Sequence, residues 1–580
     1  MGYFFSEIKQ KKNSKKELND NLATQYECSV CPRNYLSIKS PKMEPYGAEK
    51  PIYYFLGESP GKDEDNEGRQ FVGASGKLLW DALRKTEYQV DEDVYIRWNN
   101  TIRCYNKNET PTPLEILCCK KSVVDDIEKS TPLVVVGFGG IPLKAFMEGN
   151  RISLWRGRLI PAKFGSHVCW YYPTFHPSYV KRNRTNDYKN EIDDVFERDI
   201  KFLVDEFVDT YQQPEFIDSG YTDNIMTLNV LDGVVDGIRS FYGNGIIAVD
   251  IETTTLRPYE PEAAIWSIAL SNYDKTIAFP LQYKDFYSKE QVKRISNELE
   301  LLFCNVGGVI AHNLKFELEW FLHLFGNQAF MRVGTFHDTM AQAYLIDERT
   351  SKTEGMLNLD RLTKLHFGFN IKSKSKVDNK NLKSSSIGDI LLYNGMDAKY
   401  THKLFFKQDT ILLDKSQKMC YTNLIETTKT LTLTQAYGLN VDTEKLTALK
   451  ESYIAQLEYI MSKIKLVKEV QEFEKELGEA FNPLSYGHVV TLLRDIYQIP
   501  EMKQTMKGKK YAVDDEVLTA LIQEGVTVAD YILQYRSLTK LKSTYLESVE
   551  GYTFNEVVHP NFNLLFTSTG RLSSGESVGE

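Results

Sequence analysis

The sequence predicts a multidomain α/β chain that becomes mainly helical in its last third. Three observations carry this. A length of 580 residues suggests about three or four domains. Short apolar runs, IYYFLG at 52–57 and PLVVVGFG at 132–139, alternate with helical stretches, and the alternation resumes at 246–253 with IIAVDIET; strands alternating with helices are the mark of α/β architecture. After about residue 413 the pattern changes. Leu446, Leu449, Tyr453, Leu457, Ile460, Ile464 and Val467 recur at spacings of three and four, one apolar face of a long helix.

These patterns divide the chain into 1–208, a polar linker at 209–225 that includes YQQPEFIDSGYTDN, then 226–412 and 413–580. Apolar residues make up 42% of the chain, enough for packed cores. No run of about 18 apolar residues predicts a membrane span. The N-terminus, MGYFFSEIKQKKNSKKELND, lacks the apolar core of a secretory signal. The expectation is an intracellular protein, cytoplasmic, or in the host cytoplasm if the chain is viral. A net charge of −9 does not advertise a nucleic-acid partner, yet a local basic groove is enough to bind one. Basic stretches lie at Lys9–Lys16, 372–386 and Lys503–Lys510, and each also reads as a solvated loop or tail.

The strand IIAVDIE ends in two carboxylates, Asp250 and Glu252. Alternate strand residues share a face, so both acids can aim at one point, where a divalent cation removes their repulsion. Residues 309–317, VIAHNLKFE, place Glu317 on a helix that follows an apolar start. Residues 393–397, YNGMD, set Tyr393 and Asp397 four apart, on one helical face. Four acids and a tyrosine in this order can hold two Mg²⁺ or Mn²⁺ ions about 3.5–4 Å apart for in-line hydrolysis of a phosphodiester, with Tyr393 orienting the water.

This set resembles the DEDD-type 3′→5′ exonucleases with a tyrosine in the third motif, the proofreading domain of family A DNA polymerases. The likeness covers about 190 residues and takes in FHDTMAQAYLI (336–346) and LNLDRL (357–362). It implies a ribonuclease H-like α/β domain in which Asp250, Glu252, Glu317 and Asp397 are metal ligands. Tyr393 would position the water and Asn313 would touch the DNA strand. Glu317 departs from the family's usual Asp, and its extra methylene moves the carboxylate by roughly 1 Å.

Five of the eight cysteines precede residue 120. Cys28 and Cys31 form a C-x-x-C; Cys104 and Cys119 follow, with Cys118 adjacent. Two pairs of thiolates suit zinc or an iron–sulfur cluster, and spacing does not choose between them. The surrounding segments, GESPGKDEDNEGRQFVGASGKLL (57–79), NNTIRC (99–104), PTPLEILCC (111–119), LWRG (154–157) and FHPSYVKRN (175–183), resemble family-4 uracil-DNA glycosylases in order. That likeness implies an α/β sandwich with a 4Fe-4S cluster on Cys28, Cys31, Cys104 and Cys119. It also implies a base-flipping pocket: Phe71 stacking on the base, Asn100 reading its edge, and His176 donating to the uracil O2. Glu58 and Glu64 fall on the family's pocket acids, Glu64 at the position that excludes a thymine methyl.

In the last region LTQAYGLNVD (433–442), FNPLSYGHVV (481–490), YRSLTKLKSTYLE (535–547) and HPNFNLLFTSTGRLSS (559–574) resemble the start of the family A polymerase module. The likeness implies a thumb and a palm entrance, with Arg571 at the primer–template minor groove. It also separates the chain from ribonuclease D-like proteins, which lack this tail. The later palm and fingers motifs are not in the sequence. The expectation is therefore a DNA-binding chain (single-stranded 3′ ends, uracil-containing DNA, primer–template) whose polymerase activity needs a palm-and-fingers polypeptide joined near Ser574. Leu564, Leu565 and Phe566 are expected to stay exposed without that partner. The rival readings are a free-standing repair enzyme and a DNA-binding scaffold without catalysis.

Overall fold

A computed structural model describes residues 28–35, 38–105, 107, 109–147, 149, 151–184, 191–326, 333–347, 355–378, 382–412, 414–499, 512–567 and 569–575. The basic stretches Lys9–Lys16 and Lys503–Lys510 and three residues of 372–386 lie outside the described residues.

The first region is built on a six-stranded sheet of β1 (Tyr46–Gly47), β2 (Tyr53–Gly57), β3 (Ile96–Asn100), β4 (Val134–Phe138), β5 (Ile160–Phe164) and β6 (His167–Thr174), in the order β1-β3-β2-β4-β6-β5. The four central strands are parallel and the two edges antiparallel. Every residue of β2 and β4 is buried, as expected for parallel strands covered on both faces. Strand alternation deals their side chains to two cores. Tyr53, Phe55, Val134 and Val136 join one, and Tyr54, Leu56 and Val135 join the other. The C-terminal ends of β2, β3, β4 and β6 lie along one edge, the place where open α/β sheets bind ligands.

The second region has its own sheet of β7 (Ile225–Thr227), β8 (Ile246–Thr253), β9 (Ile265–Ser271), β10 (Thr276–Pro280), β11 (Gly308–Ala311) and β12 (Phe336–Asp338), ordered β12-β11-β8-β9-β10-β7. One face packs on helices 231–239, 289–304 and 315–325 through Val234, Ile238, Leu299 and Leu318. Helix Ile387–Asp409 lies on the other face. Gly395 lets it approach, because a Cβ there would stand 2.6 Å from Ile225 Cγ2. The stretch expected to be a linker is instead docked. Ile217 N–H donates to Phe367 O at 3.0 Å, and Lys399 Nζ and Tyr400 Oη donate to Asp223 O and Tyr221 O at 2.8 and 3.2 Å.

Helix Lys415–Tyr437 packs on the second region, with Ile425 in its core. A separate helical core follows, formed by helices 443–465, 468–477, 486–491, 515–523 and 527–540. The long helix Thr443–Lys465 carries the apolar face read from the sequence, but only its last two turns are deeply covered, at Ile460 and Ile464.

The expectation for the tail is corrected by the structure. Leu564, Leu565 and Phe566 are half-buried, and Leu565 packs against the core that contains Tyr344, Tyr393 and Met396. Polar contacts hold the tail there. Lys315 Nζ donates to Phe562 O at 2.5 Å and to Gln435 Oε1 at 3.1 Å, and also to Asn561 Oδ1. Arg257 donates to Pro560 O at 3.1 Å and to His559 O, and His559 stacks on Tyr259 with ring centres 3.5 Å apart. The neighbouring exonuclease-like surface thus supplies the apolar cover that was expected from a missing partner.

Hydrogen bonds from charged donors contribute about 1.5–3 kcal/mol each. The double variant Arg257→Ala, Lys315→Ala should therefore raise chymotryptic cleavage within 559–567 by roughly tenfold or more, with the remaining chain intact. An unchanged cleavage rate would show that apolar packing alone secures the tail.

Candidate functional sites

Asp250 and Glu252 stand two apart on β8, and Asp397 comes from helix Ile387–Asp409. One ligand atom from each lies within 4.8 Å of the others. Two like charges about 4 Å apart repel by close to 4 kcal/mol at an effective dielectric of 20, so three such groups fit a place where a cation offsets the charge. Tyr393, one helical turn before Asp397, is buried. Among the described residues no other His, Cys, Asp or Glu trio gathers its ligand atoms this closely.

The other two predicted residues behave differently. Glu317 is buried on helix Lys315–Phe325 and lines a small apolar cavity with Phe303, Leu318, Phe321 and Phe336; it lies outside the carboxylate trio. Asn313 has a left-handed backbone, φ 67°, and is fixed by a residue the sequence reading passed over. Asp338 accepts from Asn313 N at 3.0 Å and Leu314 N at 3.1 Å while capping helix Thr339–Ile346 through Met340 and Ala341. Burial pushes its carboxyl up to about 6 against the pull of those four N–H donors. Its position immediately before a helix was the signal.

In the first region Glu58, Asn100 and His176 stand at or just beyond the ends of β2, β3 and β6. Gly57 is where two of the pocket residues meet, since a Cβ there would lie 2.2 Å from Asn100 Oδ1 and 2.8 Å from Phe71 Cζ. The Nδ2 of Asn100 is buried with no acceptor among the described residues, an amide donor held ready for a ligand. Glu64 accepts from Phe71 N at 2.6 Å and from Gly61 N. The role visible for its carboxylate is to shape the loop that presents Phe71, itself at φ 57°.

His176 caps helix Pro177–Arg182, and its Nδ1 accepts from Ser178 N at 3.1 Å. That bond leaves the proton of a neutral ring on Nε2, as a donor. Burial, aided by Arg182, depresses the ring to about 4. The same Arg182 opposes the upward push of burial on the Glu58 carboxyl, so one guanidinium faces both groups. Arg182 was missed by the sequence reading, although it lies within a quoted segment.

Residues 44–198 match the uracil DNA glycosylase superfamily model. The Type-4 uracil-DNA glycosylase of Thermotoga maritima is 38% identical over 155 residues, 26% of this chain and 78% of the relative. Over that segment the chain belongs to the uracil-DNA glycosylase superfamily. Residues 231–412 match the 3′-5′ exonuclease model and 450–577 the DNA polymerase family A model. The DNA polymerase of Bacillus phage SP01 is 21% identical across 92% of this chain and 63% of its own length. That of Escherichia phage T5 is 28% identical across 46% of this chain and 33% of its own. The chain thus spans a third to under two thirds of these polymerases. It joins a glycosylase-superfamily domain, an exonuclease domain and a segment of a family A polymerase.

The cysteines of the glycosylase-superfamily domain converge. Burial raises the Cys104 and Cys119 thiols, and Cys31 and Cys28 add to the rise in both; Cys119 also faces Cys104. Cys118 also faces Cys31 and Cys28 and shares a hydrogen bond with Cys31. Arg33, two residues past Cys31, pairs with Glu115 at 2.9 Å with both side chains buried, and Glu115 completes the capping box of helix Pro113–Ser130. This pair pins the C-x-x-C turn to the helix that carries Cys118 and Cys119. In the polymerase segment Arg571 is exposed, and its backbone O accepts from Thr567 Oγ1 at 2.9 Å.

Because the His176 ring titrates near 4, it stays neutral from pH 5 upward. Any uracil release by the chain should show no step from this group between pH 5 and 8, and an inflection at pH 6–7 that His176→Gln removes would contradict the assignment. Gly76→Ala should weaken uracil-DNA binding while leaving 3′-end hydrolysis unchanged, because a Cβ there would lie 1.7 Å from the Phe71 carbonyl oxygen. Fluorescence titration with uracil-containing oligonucleotides checks this.

Proposed function

We propose that this chain is the exonuclease- and glycosylase-bearing part of a family A DNA polymerase that acts in replication. It trims 3′ ends and removes or reads uracil, and polymerisation requires the palm and fingers. The observation that carries the reading is the trio Asp250, Glu252 and Asp397 within 4.8 Å, inside the segment matched by the exonuclease model.

Asp250, Glu252 and Asp397 would hold Mg²⁺ or Mn²⁺, with Glu317 as the further ligand for the pair of ions. Such ions lower the pKa of water and offset charge on the scissile phosphate. The chain does the positioning: Tyr393 orients the water, and the Asp338-braced turn at Asn313 meets the 3′ end of the strand. In the glycosylase pocket Phe71 stacks on the extruded base, worth roughly 1–3 kcal/mol. Asn100 Nδ2 donates to the base edge, and His176 Nε2–H donates to O2 as negative charge builds there. Glu58 holds the water for the sugar carbon. Arg571 meets the primer–template.

Cys28, Cys31, Cys104 and Cys119 would hold a 4Fe-4S cluster that cross-links the N-terminal turn to the domain. Cys119 is preferred to Cys118 because it keeps the family's distance from the PTP segment at 111–113, and it also faces Cys104.

Purified chain should shorten single-stranded DNA from the 3′ end with Mg²⁺ or Mn²⁺, and Asp250→Ala or Asp397→Ala should abolish this. Full activity in EDTA would overturn the reading. Glu317→Asp should hold or raise the rate, because aspartate is the usual acid at this motif position. Anaerobic preparations should be brown with about four irons per chain, and His176→Ala should slow abasic-site formation at least tenfold, about 1.4 kcal/mol. Preferential binding of uracil-DNA without abasic sites would make the domain a reader.

A further inference from the structure

We infer that Asn394 is the residue that positions Asp250 for cation binding, and this rests on the exonuclease reading above. Asn394 is completely buried. It lies on helix Ile387–Asp409 between Tyr393 and Asp397, and its Nδ2 donates to Asp250 Oδ2 at 2.6 Å. Its Oδ1 accepts from Ser267 Oγ at 3.3 Å. Ser267 is also fully buried and stands on β9 directly across from Glu252.

The two bonds fix the amide's orientation. An ionised carboxylate only accepts, so the NH₂ end must face Asp250, and the hydroxyl of Ser267 then donates to the carbonyl end. One side chain thereby ties together β8, β9 and the helix that brings Asp397. The energetics explain why an amide serves here. Three converging carboxylates gain by rotating apart, and the donor on Oδ2 opposes that rotation. A lysine would do the same but would neutralise the charge the cation needs. An aspartate would add a fourth negative group. Asn394 is neutral, short and satisfied at both ends.

Partners of this kind, acting through a ligand, typically govern metal affinity by 10–100-fold. The test is calorimetric titration of Mn²⁺ into the full chain, alongside 3′-end hydrolysis of single-stranded DNA across a Mn²⁺ series. Asn394→Ala should weaken Mn²⁺ binding by at least roughly tenfold and shift the Mn²⁺ half-saturation of hydrolysis equally. Saturating Mn²⁺ should restore most of the maximal rate, which a general loss of structure would not allow. Ser267→Ala, which frees the amide without touching Asp250, should give a smaller shift in the same direction and guards against an unfolded Asn394→Ala. A Mn²⁺ affinity of Asn394→Ala within twofold of the parent would overturn the inference while leaving the metal site intact. A parent chain that binds no Mn²⁺ would overturn both.

Discussion

The approach of helix Ile387–Asp409 to the second sheet sets the terms for everything chemical in that region. The helix crosses β7, β9 and β10 on Gly395, with Ala269, Ala278, Leu391 and Ala398 forming the seam. Small side chains on both sides let the backbones come close. That closeness puts Asp397 beside Asp250 and Glu252, and lets the short amide of Asn394 span the gap to β8. A larger residue at 395 would push the helix off Ile225, and the trio would open with it. The lysines on the far side of the same helix serve this placement too. Lys399 is buried, with its pKa lowered by burial, and its bonds to the carbonyls of Tyr221 and Asp223 bind the helix to the strap that leads into β7.

The two sites solve opposite electrostatic problems. The exonuclease-domain site concentrates negative charge and is stable as drawn only with braces on its carboxylates and a cation to offset them. The glycosylase-superfamily domain keeps the histidine proposed to act there uncharged. His176 is held neutral by burial and Arg182, and the Nδ1 bond to Ser178 N fixes which nitrogen donates. A neutral donor is the suited partner for charge that appears only during bond breaking, because it does not attract anions beforehand. The net charge of −9 is no obstacle to either, since what the DNA meets is the local arrangement.

Much of this was legible in the sequence because two periodicities are strict. A carboxylate pair two apart at a strand end must share a face, and a Tyr and Asp four apart on a helix must do likewise, so Asp250, Glu252, Tyr393 and Asp397 could be placed from spacing. The segments around Phe71, Asn100 and His176 were legible through motif order. What escaped depends on contacts across the fold. Asn394 sat inside a quoted motif, but its importance comes from Ser267 on a strand 127 residues away. Asp338 and Arg182 were likewise quoted and passed over, because a cap and a counter-charge are recognised only when their partners are seen. Glu317 is buried on helix Lys315–Phe325 beside a small apolar cavity, a setting that its motif position did not reveal.

The tail was misjudged for a related reason. Spacing showed that Leu564, Leu565 and Phe566 were apolar and needed cover, but not which surface covers them. The structure uses the exonuclease domain. Lys315, which grips Asn561 and Phe562, stands two residues from both Asn313 and Glu317, and Arg257, which grips His559 and Pro560, also pairs with Glu319 on the same helix at 3.1 Å. The start of helix Lys315–Phe325 is therefore held from two sides, by Asp338 beneath Asn313 and Leu314 and by the tail above Lys315. Removing either support frees backbone that carries a predicted strand contact. The polymerase-family tail and the exonuclease site are thus parts of one network of polar contacts, and the geometry of the second motif depends on both.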